Sequence, residues 1–447
     1  MAVGFIVHIS SKLPCMHYIQ TLPENSHLHT TNQINNASGY VNQTLIDSLS
    51  IHYMATSLKR LVLNFPGFET TTSVHQIERL TAGGIKTSEL WGFELRSAEI
   101  EDKPTEHKTR THFISSGNSA SWRTETRYVH FSWADIIAKY ENIPYPKNLL
   151  KHLPGYLGFF FDGSVSKYRK ASKRYWGFTV YPILLVILFA LIAWMGAGWI
   201  SSMLGVSAIF RFIAAFIIFF VLCKFPGDRL YVNLSINDWA FARDMCFGSN
   251  PEIEKRYNLF AEQLLQEVKN SAADEVLIVG HSFGSVWATM ALSKALKKDA
   301  HALEGKRITF LAMGSSLLKI GLVESASFLR EATSDVLKMK NLVWHEIQTK
   351  TDFVSFYKSD PFKPMGVEVP SERLIVDRVN FKNALSKRRH RKMMKSMYLA
   401  HRQYILYCDK PVHHDFQLRV FGPFYADELA RNNELALNSS NLTPRVE

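Results

Sequence analysis

Asp274-Glu-Val-Leu-Ile-Val-Gly280-His281-Ser282-Phe283-Gly284-Ser285-Val-Trp-Ala-Thr-Met-Ala-Leu292 joins an apolar run, a G-x-S-x-G pentapeptide and a helix-forming stretch without a break. The run Glu275–Val279 predicts a buried strand, and the residues after Ser285 predict a helix. The two flanking glycines let the chain reverse sharply around Ser282, which a serine at an ordinary helix N-cap would not need. Strand, sharp turn and helix together mark a nucleophile elbow. The turn projects the serine hydroxyl above the sheet edge, and the N–H groups that open the helix point toward the same space.

Outward from this segment, short apolar runs alternate with helical stretches. Leu58–Leu63 reads as a strand that runs on through a Pro66-Gly67 turn to Phe68. Tyr128–Phe131 is another strand, followed by helical Ala134–Tyr140, and Leu230–Leu234 has the composition of a further strand. Ile253, Tyr257, Phe260, Leu264, Leu265 and Val268 share one face of a helix over Glu252–Val268. After Glu275–Val279 come Ile308–Met313, Leu342–Ile347 and Leu374–Val379, separated by helical lengths. Strands that alternate with helices need crossover connections. The expected class is therefore α/β, a mostly parallel sheet flanked by helices.

One segment breaks the pattern. From Tyr175 to Phe210, 36 residues in succession, there is no charge. Trp176–Ile200 and Leu204–Cys223 are each long enough for the roughly 20 helical residues that cross a ~30 Å hydrocarbon core. Trp176, Tyr181, Trp194 and Trp199 lie toward the ends of the first span, where amphipathic rings favour the interface. Arg211 marks the second; a charge at mid-bilayer costs about 2.5–3.5 kcal/mol, so it is expected to snorkel or to face the partner helix. With Ser201–Met203 as a short neutral linker, the pair reads as a hydrophobic two-helix membrane hairpin inserted between the strand at Tyr128 and the strand at Glu275. Spanning the bilayer and dipping into one leaflet both remain open. A buried pair in a soluble core is disfavoured, because so long an uncharged run exceeds an ordinary core helix.

The whole chain has 447 residues, 47% of them hydrophobic, with 52 Lys+Arg against 40 Asp+Glu and a net charge of +12. That apolar fraction excludes a disordered chain. Five bases fall in Lys167–Arg174 and six in Lys387–Lys395, and without those eleven the chain has 41 bases against 40 acids. A general nucleic-acid partner is thus not expected, and no RNA-binding or helix-turn-helix signature is present. Next to a membrane hairpin the basic run at Lys387 instead suits anionic lipid head groups. Basic residues flank both ends of the hairpin, which places the flanking chain on the cytoplasmic side: the inner membrane in a bacterial cell. Cys15, Cys223, Cys246 and Cys408 form no C-x-x-C pair, so neither a disulfide framework nor a zinc or redox site is expected, and a reducing compartment is the simplest setting.

Residues 1–53 are a polar extension rich in Asn, His, Thr and Ser, expected to be poorly ordered and without a signal-peptide pattern. Asn36-Ala-Ser38 and Asn42-Gln-Thr44 match the glycosylation sequon, and Met54 is an alternative start of translation. The organisation read from sequence is then 54–165 and 230–430 as two parts of one sheet domain, 166–229 as the hairpin insertion and 431–447 as a tail.

On Gly280-His281-Ser282-Phe283-Gly284 and its setting, the chain resembles the α/β-hydrolase superfamily, specifically its serine esterases and lipases, over roughly residues 58–423 less the hairpin. The resemblance implies an oxyanion hole formed by the N–H of the residue after the nucleophile and one from the loop after an early strand, which fall on Phe283 and Phe68. It also implies a chain order of serine, acid, histidine. Asp352, just past the strand Leu342–Gln348, resembles the family's aspartate, although Asp after a strand is also a common helix N-cap. Its rivals are Asp360, which reads as turn chemistry before Pro361, and Asp377, which reads as a pleat residue. For the base, His281 is too close to Ser282 in the chain to fold back. His401, in Leu-Ala-His401-Arg-Gln-Tyr404, resembles the histidine segment of many lipase-like hydrolases. His413 and His414 remain alternatives, with Asp415 beside them a turn cap.

The function so implied is a membrane-anchored serine hydrolase that cleaves a lipid-like or acyl ester with Ser282, His401 and Asp352, without cofactor or metal. Thioester or acyl-transfer chemistry would use the same residues. A different class, a non-catalytic membrane scaffold with a hydrolase fold, is the other reading.

Overall fold

Among the described residues, nine strands build one mixed sheet: β1 (Thr56–Phe65), β2 (Phe93–Ser97), β3 (Glu101–Lys103), β4 (Lys108–Gly117), β5 (Trp122–Phe131), β6 (Glu275–His281), β7 (Arg307–Met313), β8 (Leu342–Thr349) and β9 (Leu374–Val379). The computed structural model describes residues 56–117 and 121–443. The polar extension 1–53, its two sequons, Cys15 and Met54 lie outside those residues. The strand order is β2-β4-β5-β1-β6-β7-β8-β9, with β3 beside β4. From β5 through β1 to β9 every pairing is parallel, while β2, β3 and β4 add antiparallel pairings at one edge.

Residues along each central strand alternate between two apolar cores. Leu61, Leu63, Phe65, Val276, Ile278 and Phe310 face one, and Val62, Leu277, Val279, Leu311, Met313 and Ile347 face the other. Burial on both faces explains why these strands read as continuous apolar runs. At the lower edge, Arg60 on β1 and Glu275 on β6 form a fully buried ion pair of 2.7 Å. Arg60 also donates to the carbonyls of Val420 and Gly422, and Glu275 accepts the N–H of Ala426. The chain after residue 420 is thereby bolted to the sheet. The expected tail continues this packing: helix Ala426–Arg431 runs across its boundary, Ala436 and Leu442 are buried, and Trp122 donates to the carbonyl of Asn441.

Three sequence expectations change. Residues 93–117, unassigned above, are β2, β3 and β4. On this edge Lys108, Arg110 and Arg127 converge on Glu267 of the helix Pro251–Lys269, so ion pairs cover one face, while Phe93 and Phe113 join the apolar core on the other, and hydropathy misses the strands. The strand expected at Leu230–Leu234 is instead the entry to a helix, Val232–Phe247. Eleven of its sixteen residues are buried, on all sides, which erases the one-sided stripe that would have identified a helix. The hairpin turn is also not at Ser201–Met203. The first helix continues to Leu204, and the chain turns at Gly205, where φ is +62° and the N–H bonds back to the carbonyl of Ser201.

The hairpin helices, Lys173–Leu204 and Ala208–Arg229, are both long and apolar enough to cross a membrane. Up to Pro182 the first is rooted in the domain, with Tyr175, Phe178 and Thr179 buried. Its remaining residues, 183–204, rise about 33 Å, matching the second helix and a ~30 Å hydrocarbon core. Leu184, Ile187, Leu191, Met195 and Trp199 are exposed along this stretch. Arg211 faces the partner helix, its guanidinium 4.1 Å from the Trp194 ring centroid and close over Gly198.

The basic run forms a short helix, Lys387–Met393, capped by Ser386. Arg389 is held by Asp409 and lies over the Tyr407 ring. Lys387, Arg388, Arg391, Lys392 and Lys395 are exposed, with no ion-pair partner among the described residues. The Tyr231 hydroxyl, at the exit of the hairpin, is 2.6 Å from the hydroxyl of Ser396, so this basic face stands beside the hairpin root.

Candidate active site

Ser282 sits between β6 and the helix Gly284–Lys298 with φ +55°, a left-handed conformation that costs a non-glycine residue about 1–2 kcal/mol. Its neighbours show why both motif positions are glycine. A Cβ on Gly284 would stand 1.8 Å from the carbonyl oxygen of Phe65, and one on Gly280 would stand 2.6 Å from the Cα of Ser285. The turn is pinned from several sides: the Ser282 N–H donates to the carbonyl of Met313 on β7, and the Ser282 carbonyl accepts the N–H of Ser316 and the Ser285 hydroxyl. The Ser282 hydroxyl is left beside that of Ser316, 3.4 Å away, and faces a cavity.

Across the cavity, His401 Nδ1 lies 2.9 Å from Asp352 Oδ2. Asp352 follows β8 and is fully buried, and its other oxygen accepts the N–H of Val354 at 2.8 Å. Burial alone would raise its pKa, but the facing His401 and this N–H bond outweigh it and hold the carboxyl below its ordinary range. His401 Nε2 is buried with no hydrogen-bond partner among the described residues, and the ring lines the same cavity as Ser282. A buried donor–acceptor nitrogen left open in this way is available to a group that enters the cavity.

Neighbours that carry no motif of their own hold the histidine. His281 Nε2 donates to the carbonyl of His401 at 2.9 Å, and the two rings are 4.7 Å apart. Burial, helped by the neighbouring His401, depresses the His281 pKa to about 3, so the ring stays neutral and keeps that role. The Tyr404 hydroxyl accepts the N–H of Thr349 at 3.0 Å. The H-x-x-Y segment therefore docks on the end of β8 at two points, His401 on Asp352 and Tyr404 on Thr349. Gly314 leaves room for it: at φ +54°, a Cβ there would stand 2.8 Å from the Tyr404 ring and 3.0 Å from His401 Cε1.

The loop after β1 closes the other side. A Cβ on Gly67 would lie 3.0 Å from the Cβ of Ser282, so this loop touches the turn. Phe68 follows it and lines the cavity, while Phe283 opens the helix after Ser282. Neither N–H donates to a backbone carbonyl among the described residues. Glu69, which sequence reading missed, also borders the cavity, 2.7 Å from Arg79 and 3.5 Å from Arg402. Burial opposes its charge, yet these partners lower its pKa to about 2.

The rival residues lie elsewhere. Asp360 accepts the N–H groups of Phe362 and Lys363 and closes a turn. Asp377 is more than a pleat residue: it bonds His345 Nε2 at 2.9 Å, with His413 at 3.9 Å. His414 is buried beside His413 and Phe381. Asp415 caps the helix Phe416–Phe421 and accepts the indole N–H of Trp91. Of the three candidate histidines, only His401 borders the Ser282 cavity. Among the described residues no group of three or more His, Cys, Asp or Glu side chains is placed to hold a metal ion.

No protein-family model, no curated protein and no solved structure matches this chain, so its chemistry rests on the geometry of the site.

Proposed function

We propose that this chain is a membrane-anchored serine hydrolase of the α/β-hydrolase kind that acts on a lipid-like or acyl ester. The observation that carries the reading is a left-handed Ser282 facing one cavity with a His401 whose far nitrogen is bound to a buried Asp352. In this reading Ser282 Oγ attacks the ester carbonyl carbon while His401 Nε2 takes the hydroxyl proton. The carbonyl oxygen becomes an oxyanion, held by the N–H groups of Phe68 and Phe283, each worth roughly 2.7–4 kcal/mol. Collapse breaks the ester C–O bond, and His401 gives its proton to the leaving alcohol. A water molecule then repeats the sequence on the acyl-enzyme and regenerates Ser282. Asp352 keeps the imidazole oriented and balances its charge throughout.

The exposed apolar surface of the hairpin and the five exposed bases beside its root support anchoring at an anionic bilayer, each base adding about 1 kcal/mol near the surface. Both hairpin ends return to the same domain, so a complete crossing leaves that domain on one side; the bases at each end favour the cytoplasmic side. A thioester or acyl-transfer reaction would use the same groups. A non-catalytic scaffold accounts for the site less well, because a strained serine and an open buried imidazole nitrogen cost stability and serve no packing purpose. The test is labelling of the purified protein by a fluorophosphonate probe, with Ser282→Ala as the control. Labelling of wild type alone is expected, and equal labelling of both rejects the assignment.

A further inference from the structure

The root of the hairpin does more than anchor. The cavity above Ser282 and His401 is walled by Phe178 and Tyr181 of the first hairpin helix, by Leu234 just beyond the second, and by Val354 and Met397. Polar contacts tie this root to both segments that carry the acid and the base. Arg174 donates to the carbonyl of Lys350 at 2.6 Å and lies 4.3 Å from the Phe353 ring centroid, on either side of Asp352. Tyr231 reaches Ser396, five residues before His401, and the Tyr181 hydroxyl is 2.7 Å from that of Ser235. The charged groups on the cavity wall are already matched: Glu69 faces Arg79 and Arg402, and Asp238 is paired with the buried Lys319. What remains for a ligand is apolar.

Tyr181 lines the cavity, and Leu184 and Leu188, at i+3 and i+7 on the same side of the helix, are 59% and 47% exposed. Seven residues of helix, two turns, rise about 10.5 Å. The side of the helix that walls the cavity at Tyr181 thus continues into the exposed apolar band of the hairpin within two turns. Resting on the hydrolase reading above, we propose that the hairpin root is the acyl-binding wall of the site. The substrate class is a long-chain acyl ester that enters laterally from the leaflet, and Phe178 and Leu234 select its acyl length.

The experiment measures kcat/KM for p-nitrophenyl butyrate, octanoate and laurate with the full chain in lipid nanodiscs. The variants are Phe178→Ala, Leu234→Trp and, on the exposed band, Leu191→Trp. Each buried methylene is worth about fourfold, so the wild-type ratio of octanoate to butyrate should exceed tenfold. Narrowing the wall with Leu234→Trp, or opening it with Phe178→Ala, should change that ratio at least tenfold, whereas Leu191→Trp should not. Fluorophosphonate labelling of each variant reports whether the Ser282 site is intact. A ratio within twofold of wild type in both wall variants, with labelling intact, overturns the acyl-wall proposal. Loss of all Ser282-dependent labelling and turnover in wild type overturns the hydrolase reading instead.

Discussion

Relief of backbone strain at Ser282 gives a test that is separate from catalysis. At φ +55° a side chain costs about 1–2 kcal/mol, which Ser282→Ala keeps and Ser282→Gly removes. Glycine gives back about 0.5–1 kcal/mol through the greater freedom of its unfolded chain. The hydroxyl contact with Ser316, long at 3.4 Å, is lost in both variants and cancels in the comparison. The net expectation is that Ser282→Gly is more stable than Ser282→Ala by about 1 kcal/mol, or about 1 °C in Tm for a chain of this size, while neither variant turns over an ester. The assay is thermal unfolding in one detergent at one scan rate, followed by tryptophan fluorescence. Ser285, three residues on and helical, supplies the opposite sign. There Ser285→Gly loses about 0.5 kcal/mol of helix propensity together with the bonds to the Ser282 carbonyl and the Ser315 hydroxyl. If Ser282→Gly is no more stable than Ser282→Ala, the turn is not left-handed and the elbow geometry is wrong.

Three other perturbations probe the base, the fold and the anchor. His401→Ala should lower kcat by about 10³ or more and Asp352→Asn somewhat less, because the acid only orients and stabilises, while His413→Ala and His414→Ala cost no more than about tenfold; a dead His414→Ala beside an active His401→Ala would reverse the assignment. Acid should unfold the domain: burial holds His130, His281 and His414 at about 3 and His345 at about 4, so below pH 6.5 the unfolded chain gains protons the fold refuses. Burial also raises Glu346 to about 8 and Asp415 to about 6, which offsets two of those four protons, so between pH 6 and 4.5 stability should fall with a slope approaching about 2.7 kcal/mol per pH unit, and a flat denaturation midpoint across that range contradicts the burial of these histidines. Reporter fusions at residues 165 and 235 should both read cytoplasmic, since both ends of the hairpin return to one domain; opposite readouts would mean a single crossing.

How much of the fold could be read depended on what covers each strand. The strands β6, β7 and β8 are buried on both faces, and these, with β1 and the short apolar run of the edge strand β9, appear in the sequence within a few residues of their observed limits. The edge formed by β2, β3 and β4 is covered on one side by Glu267 and its bases, so Lys108, Arg110 and Arg127 look like loop residues until their partner is known. The helix after the hairpin failed for the opposite reason. With Asn233, Ser235 and Asn237 buried among its apolar residues, it shows no polar face at all.

The site divides along the same line, between what local chemistry dictates and what folding brings together. The elbow was legible because Gly280 and Gly284 answer steric demands that arise within a few residues or from the adjacent strand. The pairing of Asp352 with His401 spans 49 positions, and spacing alone could not choose His401 over His413. Tyr404 was the signal that could have decided it. A tyrosine one turn past the histidine reaches the N–H of Thr349 and delivers His401 to the carboxylate just beyond it, whereas His413 and His414 have no such companion and gather near Asp377. His281 cannot reach back to Ser282, and the same proximity gives it a different use. From β6 it grips the carbonyl of His401, so the strand that presents Ser282 also sets the position of the base that would activate it. Gly314 and the hairpin root act in the same way: they touch the acid and base segments across long stretches of chain, and neither carries a motif. The residues that position the site were therefore invisible for a physical reason, since their role lies in steric room and in contacts between distant elements rather than in their own chemistry.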